Sequence, residues 1–254
     1  MTRAFMSGLR VDLLQLIRSP FDMVGMLVWP LVFASIAYLL LGSESGTRVL
    51  FTASLGAAVM IMWGWVILGA GFALDNQREQ GTLELVVGAP TPLVVLISPV
   101  MIARAIFGVY GLLLTLVWGR VVFGIPVLIN DWAAFLAAAV GCILAIGTLG
   151  LIAASTFVLY RAAFYFGISL QYPVYIACGL ILPFSVLPGW LRPVSWLLAP
   201  TWGFRALREA ASAQTPWPDI GMCFGLSAAY FLIAIPCLAF FEHLARDRAT
   251  LKLA

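Results

Sequence analysis

The chain's 254 residues are 63% hydrophobic and only 10% charged, with a formal net charge of +3, whereas soluble domains carry roughly 25% charged residues. A soluble globule of this size keeps most side chains in partial contact with water and cannot hide so much apolar surface. Composition therefore excludes an ordinary soluble protein, and continuous apolar runs near the ~20 residues of a spanning helix, in place of alternating ~10-residue strands, select helices over a barrel.

Residues 3–18 come first and plot as an amphipathic helix. Phe5, Met6, Leu9, Leu13, Leu16 and Ile17 share one face, and Arg3, Ser7, Arg10, Gln15 and Arg18 gather opposite. Such a helix lies flat at the headgroup level with its arginines toward lipid, or packs on another subunit. The arginines and Asp12 spread through this segment also distinguish it from a cleaved signal. Ser19-Pro20 then interrupts the pattern.

Six spans are expected, at about 21–41, 50–74, 92–119, 132–160, 164–182 and 220–241. Residues 42–49 and 123–131 read as short connections, and 75–91 as the longest polar loop. Residues 183–219 hold six prolines and four tryptophans but few charges. The stretch 184–210 therefore reads as short re-entrant or interfacial helices, with Trp190, Trp196 and Trp202 at headgroup level.

Orientation follows from arginine bias. With the N-terminus inside, nine basic residues (Arg3, Arg10, Arg18, Arg78, Arg104, Arg161, Arg246, Arg248, Lys252) fall on the cytoplasmic side and five (Arg48, Arg120, Arg192, Arg205, Arg208) outside. Both termini are thus expected in the cytoplasm. Asp22, Arg104 and Arg120 lie toward predicted span ends, where snorkelling makes a charge cheap. The arginines are scattered, so no nucleic-acid partner is expected.

Catalytic patterns are missing. The single His243 sits beside Glu242 at the end of the last apolar run, and no H-E-x-x-H, D-D-x-x-D or G-x-S-x-G occurs. Cys142, Cys178, Cys223 and Cys237 lie inside apolar runs and read as small buried hydrophobes, so neither catalytic residues nor a metal site is expected. Glycines such as Gly64, Gly69, Gly71, Gly141, Gly147 and Gly150 read as close helix packing.

Residues 78–84 read Arg78-Glu79-Gln80-Gly81-Thr82-Leu83-Glu84. Glu79 and Glu84 can meet basic residues on a partner, Leu83 offers an apolar contact, and Gly81 permits a sharp turn. This E-x-G-T-L-E pattern resembles the cytoplasmic loop of ABC-2-type permeases. So does the order of parts: an amphipathic start, six spans, this loop after the second, and a Pro/Trp-rich segment (Leu187-Pro188-Gly189-Trp190-Leu191 through Ala199-Pro200-Thr201) before the last. Ala199 departs from the polar residue expected before that proline, which weakens any side-chain cap there.

The resemblance implies an all-α polytopic membrane protein, one transmembrane permease domain over 1–254. It implies six transmembrane helices, an N-terminal amphipathic interfacial helix over 3–18, a cytoplasmic coupling loop over 75–91, and re-entrant half-helices over 184–210. It makes residues 78–84 the docking site of an ABC ATPase, and places Pro188, Trp190 and Pro200 at an outer gate. A second permease chain, identical or related, would complete a translocation path. Spans one, two and five line that path in relatives, which offers Trp29, Trp63, Trp65, Phe164 and Tyr172 as contacts.

The expected role is a permease subunit of a bacterial exporter for amphipathic, drug-like or lipid-like cargo, embedded in membrane lipid of the inner membrane. Lys252 is the only lysine, so the chain has no G-x-x-x-x-G-K-[ST] phosphate loop. ATP and Mg are thus expected on the partner ATPase and no cofactor on this chain. The alternative class is an ATP-independent carrier or channel, distinguished by whether transport survives removal of ATP.

Overall fold

The computed structural model describes residues 2–41, 46–81, 93–159, 161–181, 187–212 and 214–248. Regular structure among them is helical: α1 (Thr2–Arg18), α2 (Pro20–Leu41), α3 (Thr47–Glu79), α4 (Leu93–Val122), α5 (Trp132–Leu159), α6 (Arg161–Ala177), α7 (Arg192–Leu197), α8 (Ala199–Ala210) and α9 (Trp217–Arg248). Five stretches among the described residues are long and apolar enough to cross a bilayer: Met23–Leu41, Thr47–Ile67, Ile97–Val122, Trp132–Phe157 and Trp217–Leu244.

The expected span 164–182 is occupied by α6, which has 17 residues. At 1.5 Å per residue it is about 26 Å long, just short of the ~30 Å hydrocarbon layer. Its end is chemically defined. Gly179 adopts φ +71°, the Gly179 amide donates to the Ile176 carbonyl at 3.0 Å, and the Leu180 amide donates to the Tyr175 carbonyl at 3.1 Å. That pairing closes a helix around a left-handed glycine. Elsewhere Asp131 starts α5 by accepting from the Ala134 amide at 3.0 Å.

Burial sorts the helices. The apolar stretch of α3 is 78% buried, against 17% for that of α2 and 22% for that of α9. Helix α3 is the axis of the bundle and contacts α2, α4, α5, α6 and α8; α9 pairs with α5, and α8 is wedged between them. The main core runs from Leu55, Val59, Met62 and Val66 on α3 to Met101 on α4 and Ile146 on α5. Cys142, Cys178 and Cys223 are buried as free thiols. Small residues permit the close crossings: a methyl on Gly150 would stand 2.5 Å from a Val66 methyl, and one on Gly203 would stand 2.4 Å from Cys142 Sγ.

Two expectations change, on the extent of α3 and on Arg104. The polar stretch beginning at residue 75 is not all loop, because α3 continues unbroken through Glu79; a helix leaving the membrane satisfies its own backbone and does not require apolar side chains. In α1, Leu9, Leu13 and Leu16 of the expected apolar face pack inward with Asp12 buried beside them, and Met6 and Ile17 are exposed. Arg104 does not snorkel: it is 5% exposed and pairs with Asp12, Nε to Oδ2 at 3.5 Å. The two charges cost less facing each other than either would alone in an apolar setting.

Tyr175 ties α6 to α3 by donating its hydroxyl to the Met60 carbonyl at 2.8 Å. Tyr175→Phe should cost about 1 kcal/mol, the usual net worth of one such bond, measured as a small drop in thermal midpoint. A midpoint equal to the parent's would show that the bond contributes nothing.

Candidate functional site

At one end of α3, Arg78 and Glu79 fall in the last helical turn, and Gln80 and Gly81 form an exposed turn. Gly81 has φ +66° and nothing within 4 Å of a methyl built on it. A side chain would fit that space, but the left-handed backbone favours glycine. A left-handed glycine therefore follows the long helix at the position where the sequence pattern permits a sharp turn. Thr82, Leu83 and Glu84 lie outside the described residues.

Deeper in the bundle, α3 and α6 run antiparallel. Tyr175 meets Met60, and a methyl on Gly167 would lie 3.9 Å from Ile67. These two pairings bring Trp63 and Gln171 to the same depth. Both are buried, at 8% and 9% exposure. Trp63 Nε1 and Gln171 Oε1 have no hydrogen-bond partner among the described residues. An unanswered donor and an unanswered acceptor inside an apolar bundle are costly, and together they offer a ligand one bond of each kind. Gln171 and Tyr175 were not singled out from sequence; the signal available was a glutamine and tyrosines inside an otherwise apolar run.

The other expected path residues lie on α2, α3 and α6. Trp29 is 54% exposed on α2, with its ring 6.0 Å from that of Phe33. Trp65 packs with α1, α2 and α4 beside Leu16, Met26 and Ala103, and its ring would meet a methyl on Gly25 at 3.3 Å. Phe164 lies in the first turn of α6. Tyr172 is exposed on α6 and makes an edge contact with Tyr175, centroids 6.2 Å apart.

At the opposite end from Glu79, the Pro/Trp segment forms two short helices. Leu198 is extended between α7 and α8 and, as the N-cap of α8, gives no side-chain cap. Pro188 and Trp190 stand in an exposed turn, whereas Pro200 is buried in the first turn of α8. Trp202 Nε1 donates to the Trp196 carbonyl at 2.8 Å, and Tyr230 of α9 donates to the Leu197 carbonyl. Both bonds hold the break closed. Nearby, Arg205 pairs with Asp219 at 3.1 Å and approaches Glu209 at 3.9 Å.

No curated protein matches the chain. A family model described as ABC-2 type transporter matches residues 3–211. The match takes in the amphipathic α1, the turn at Gly81, the α3–α6 contact and the broken α7–α8 pair. Since it covers well over half of the chain, the protein belongs to the ABC-2 type transporter family, as a multi-pass helical membrane permease.

Proposed function

We propose that this chain is the permease subunit of an ATP-driven exporter, moving an amphipathic, drug-like or lipid-like substrate outward from the cytoplasm or the inner leaflet. The observation that carries the reading is the exit of α3 at Glu79-Gln80-Gly81: a rigid helix of the bundle core ends in a left-handed glycine inside the E-x-G-T-L-E sequence. A separate ABC ATPase, holding ATP and Mg, docks on residues 78–84. Two permease chains line one path, six spans cross the bacterial inner membrane with α6 as the fifth, and both termini face the cytoplasm. Pro188, Trp190 and Pro200 belong to the outer gate.

The unanswered Trp63 indole and Gln171 amide supply polar contacts to a cargo that is otherwise held by apolar surface. Such a site suits an amphiphile better than a long polar glycan. ATPase stimulation by amphiphiles supports this, and stimulation only by a soluble sugar would remove it.

Docking is tested by charge reversal. Glu79→Lys and Glu84→Lys should each reduce co-purification with the ATPase subunit while membrane insertion stays at the parental level, because Glu79 ends α3 outside its apolar stretch. Undiminished co-purification of the double variant would exclude residues 78–84 as the docking site.

A further inference from the structure

Two cavities lie at the end of the bundle opposite Glu79 and share Gln214 as a wall. One, of about 510 Å³, is lined by Glu209 and Asp219. The other, of about 250 Å³, is lined by Arg48, Thr52, Arg208, Ser212 and Gln214 over an apolar floor that includes Phe51 and Leu128.

The charges in the two cavities are answered unequally. Arg205 serves both carboxylates, at 3.1 Å from Asp219 and 3.9 Å from Glu209. Burial, with Asp219 alongside, pushes the Glu209 carboxyl up from its ordinary value toward its neutral form, although the Arg205 and Arg208 fields oppose this. Neither Arg48 nor Arg208 has a carboxylate within salt-bridge distance among the described residues. Arg48 also stands in the first turn of α3, which has no acidic residue. A cation there opposes the helix dipole, and an anion would relieve both. The two hydroxyls do not compete as donors: Thr52 donates to the Arg48 carbonyl at 2.9 Å and Ser212 to the Glu209 carbonyl at 3.1 Å. Donation into the cavity is left to the two guanidiniums and the Gln214 amide.

We infer that this cavity binds a phosphate group, presented by the headgroup of a phospholipid in the leaflet opposite the coupling end. Guanidinium pairs suit phosphate oxygens through charge-assisted bonds. The volume equals about eight waters' worth of liquid, room for a phosphodiester and its first esterified carbons. The depth is right for a headgroup, because Arg48 opens the apolar stretch that starts at Thr47. Trp132 and Trp217 are exposed at the starts of α5 and α9, at the same end, as interfacial tryptophans are. This site is separate from the α3–α6 layer and holds whether or not an ATPase drives transport.

The test uses the full chain in detergent, titrated with short-chain phosphatidylglycerol, with the uncharged diacylglycerol of equal chain length, and with inorganic phosphate, read by native mass spectrometry and thermal shift. Phosphatidylglycerol should bind saturably and diacylglycerol should not. Arg48→Gln, at an exposed helix start, and Arg208→Gln should each weaken binding about tenfold. Arg208→Lys should recover part of the loss. Arg192→Gln, exposed at the same end but outside the cavity, should bind as the parent does. Saturable binding of inorganic phosphate with the same arginine dependence would support the phosphate site with a soluble source. Equal binding of diacylglycerol, parental affinity in Arg48→Gln, or an equal loss in Arg192→Gln would overturn the inference.

Discussion

Asp12→Ala is expected to lower stability by about 3–5 kcal/mol, the usual cost of stranding one member of a buried ion pair. Arg104 is enclosed: its side chain is 6% exposed, and a methyl on Gly69 would stand 2.6 Å from its Cδ, so α3 forms a wall against it. At 3.5 Å the contact with Asp12 is an ion pair without good hydrogen-bond geometry. The guanidinium nevertheless has no exit to water from that position. Without Asp12, the apolar contacts of α1 with α4, through Leu16 and Ala103 and through Gly8 on the Pro99 ring, remain but enclose an unanswered charge. For a chain of this size the loss corresponds to roughly 10 °C in thermal midpoint. The double variant Asp12→Leu/Arg104→Met should recover most of it, because an apolar pair of similar volume needs no charge compensation. Midpoints of Asp12→Ala and of Arg104→Met alone within a degree or two of the parent would mean that the pair is solvated.

Gly56→Ala is expected to be next in severity, at about 3 kcal/mol, the upper part of the usual range for overpacking. The added methyl would stand 2.5 Å from the Leu180 carbonyl oxygen. That obstacle is backbone, and Leu180 is itself held by its amide bond to the Tyr175 carbonyl. Relief therefore requires α3 and the end of α6 to separate. Gly150→Ala is the informative contrast. Its methyl would also approach to 2.5 Å, but the obstacle is a Val66 methyl, which can turn away at a smaller cost. Thermal midpoints of the two variants should differ by several degrees; equal midpoints would show that backbone and side-chain obstacles yield alike here.

The sequence expresses well what the bilayer imposes and poorly what neighbouring helices impose. Long apolar runs made α2, α4 and α5 readable within a few residues, because lipid and water sort side chains one position at a time. The extension of α3 to Glu79 was hidden because hydropathy reports the solvent of a side chain and not the state of its backbone. Arg104 was placed near a span end because its partner lies 92 positions earlier in a different helix, and a single sequence does not show that pairing. The path aromatics could not be told apart from sequence for a related reason. Residue type marks Trp29, Trp63 and Trp65 equally, yet the faces of α2 and α3 send them in different directions. Gly81 was legible because a left-handed turn needs no partner to be recognised.

Helix α3 has 33 residues and no proline, which makes it a rod about 50 Å long. Its crowded middle, at Gly56 against Leu180 and Val66 against Gly150, acts as a fulcrum. A lever supported at its middle moves its two ends in opposite senses. Under the proposed docking, a displacement imposed at Glu79 would therefore reach Arg48 as a counter-swing, and a headgroup held at Arg48 would load the far arm.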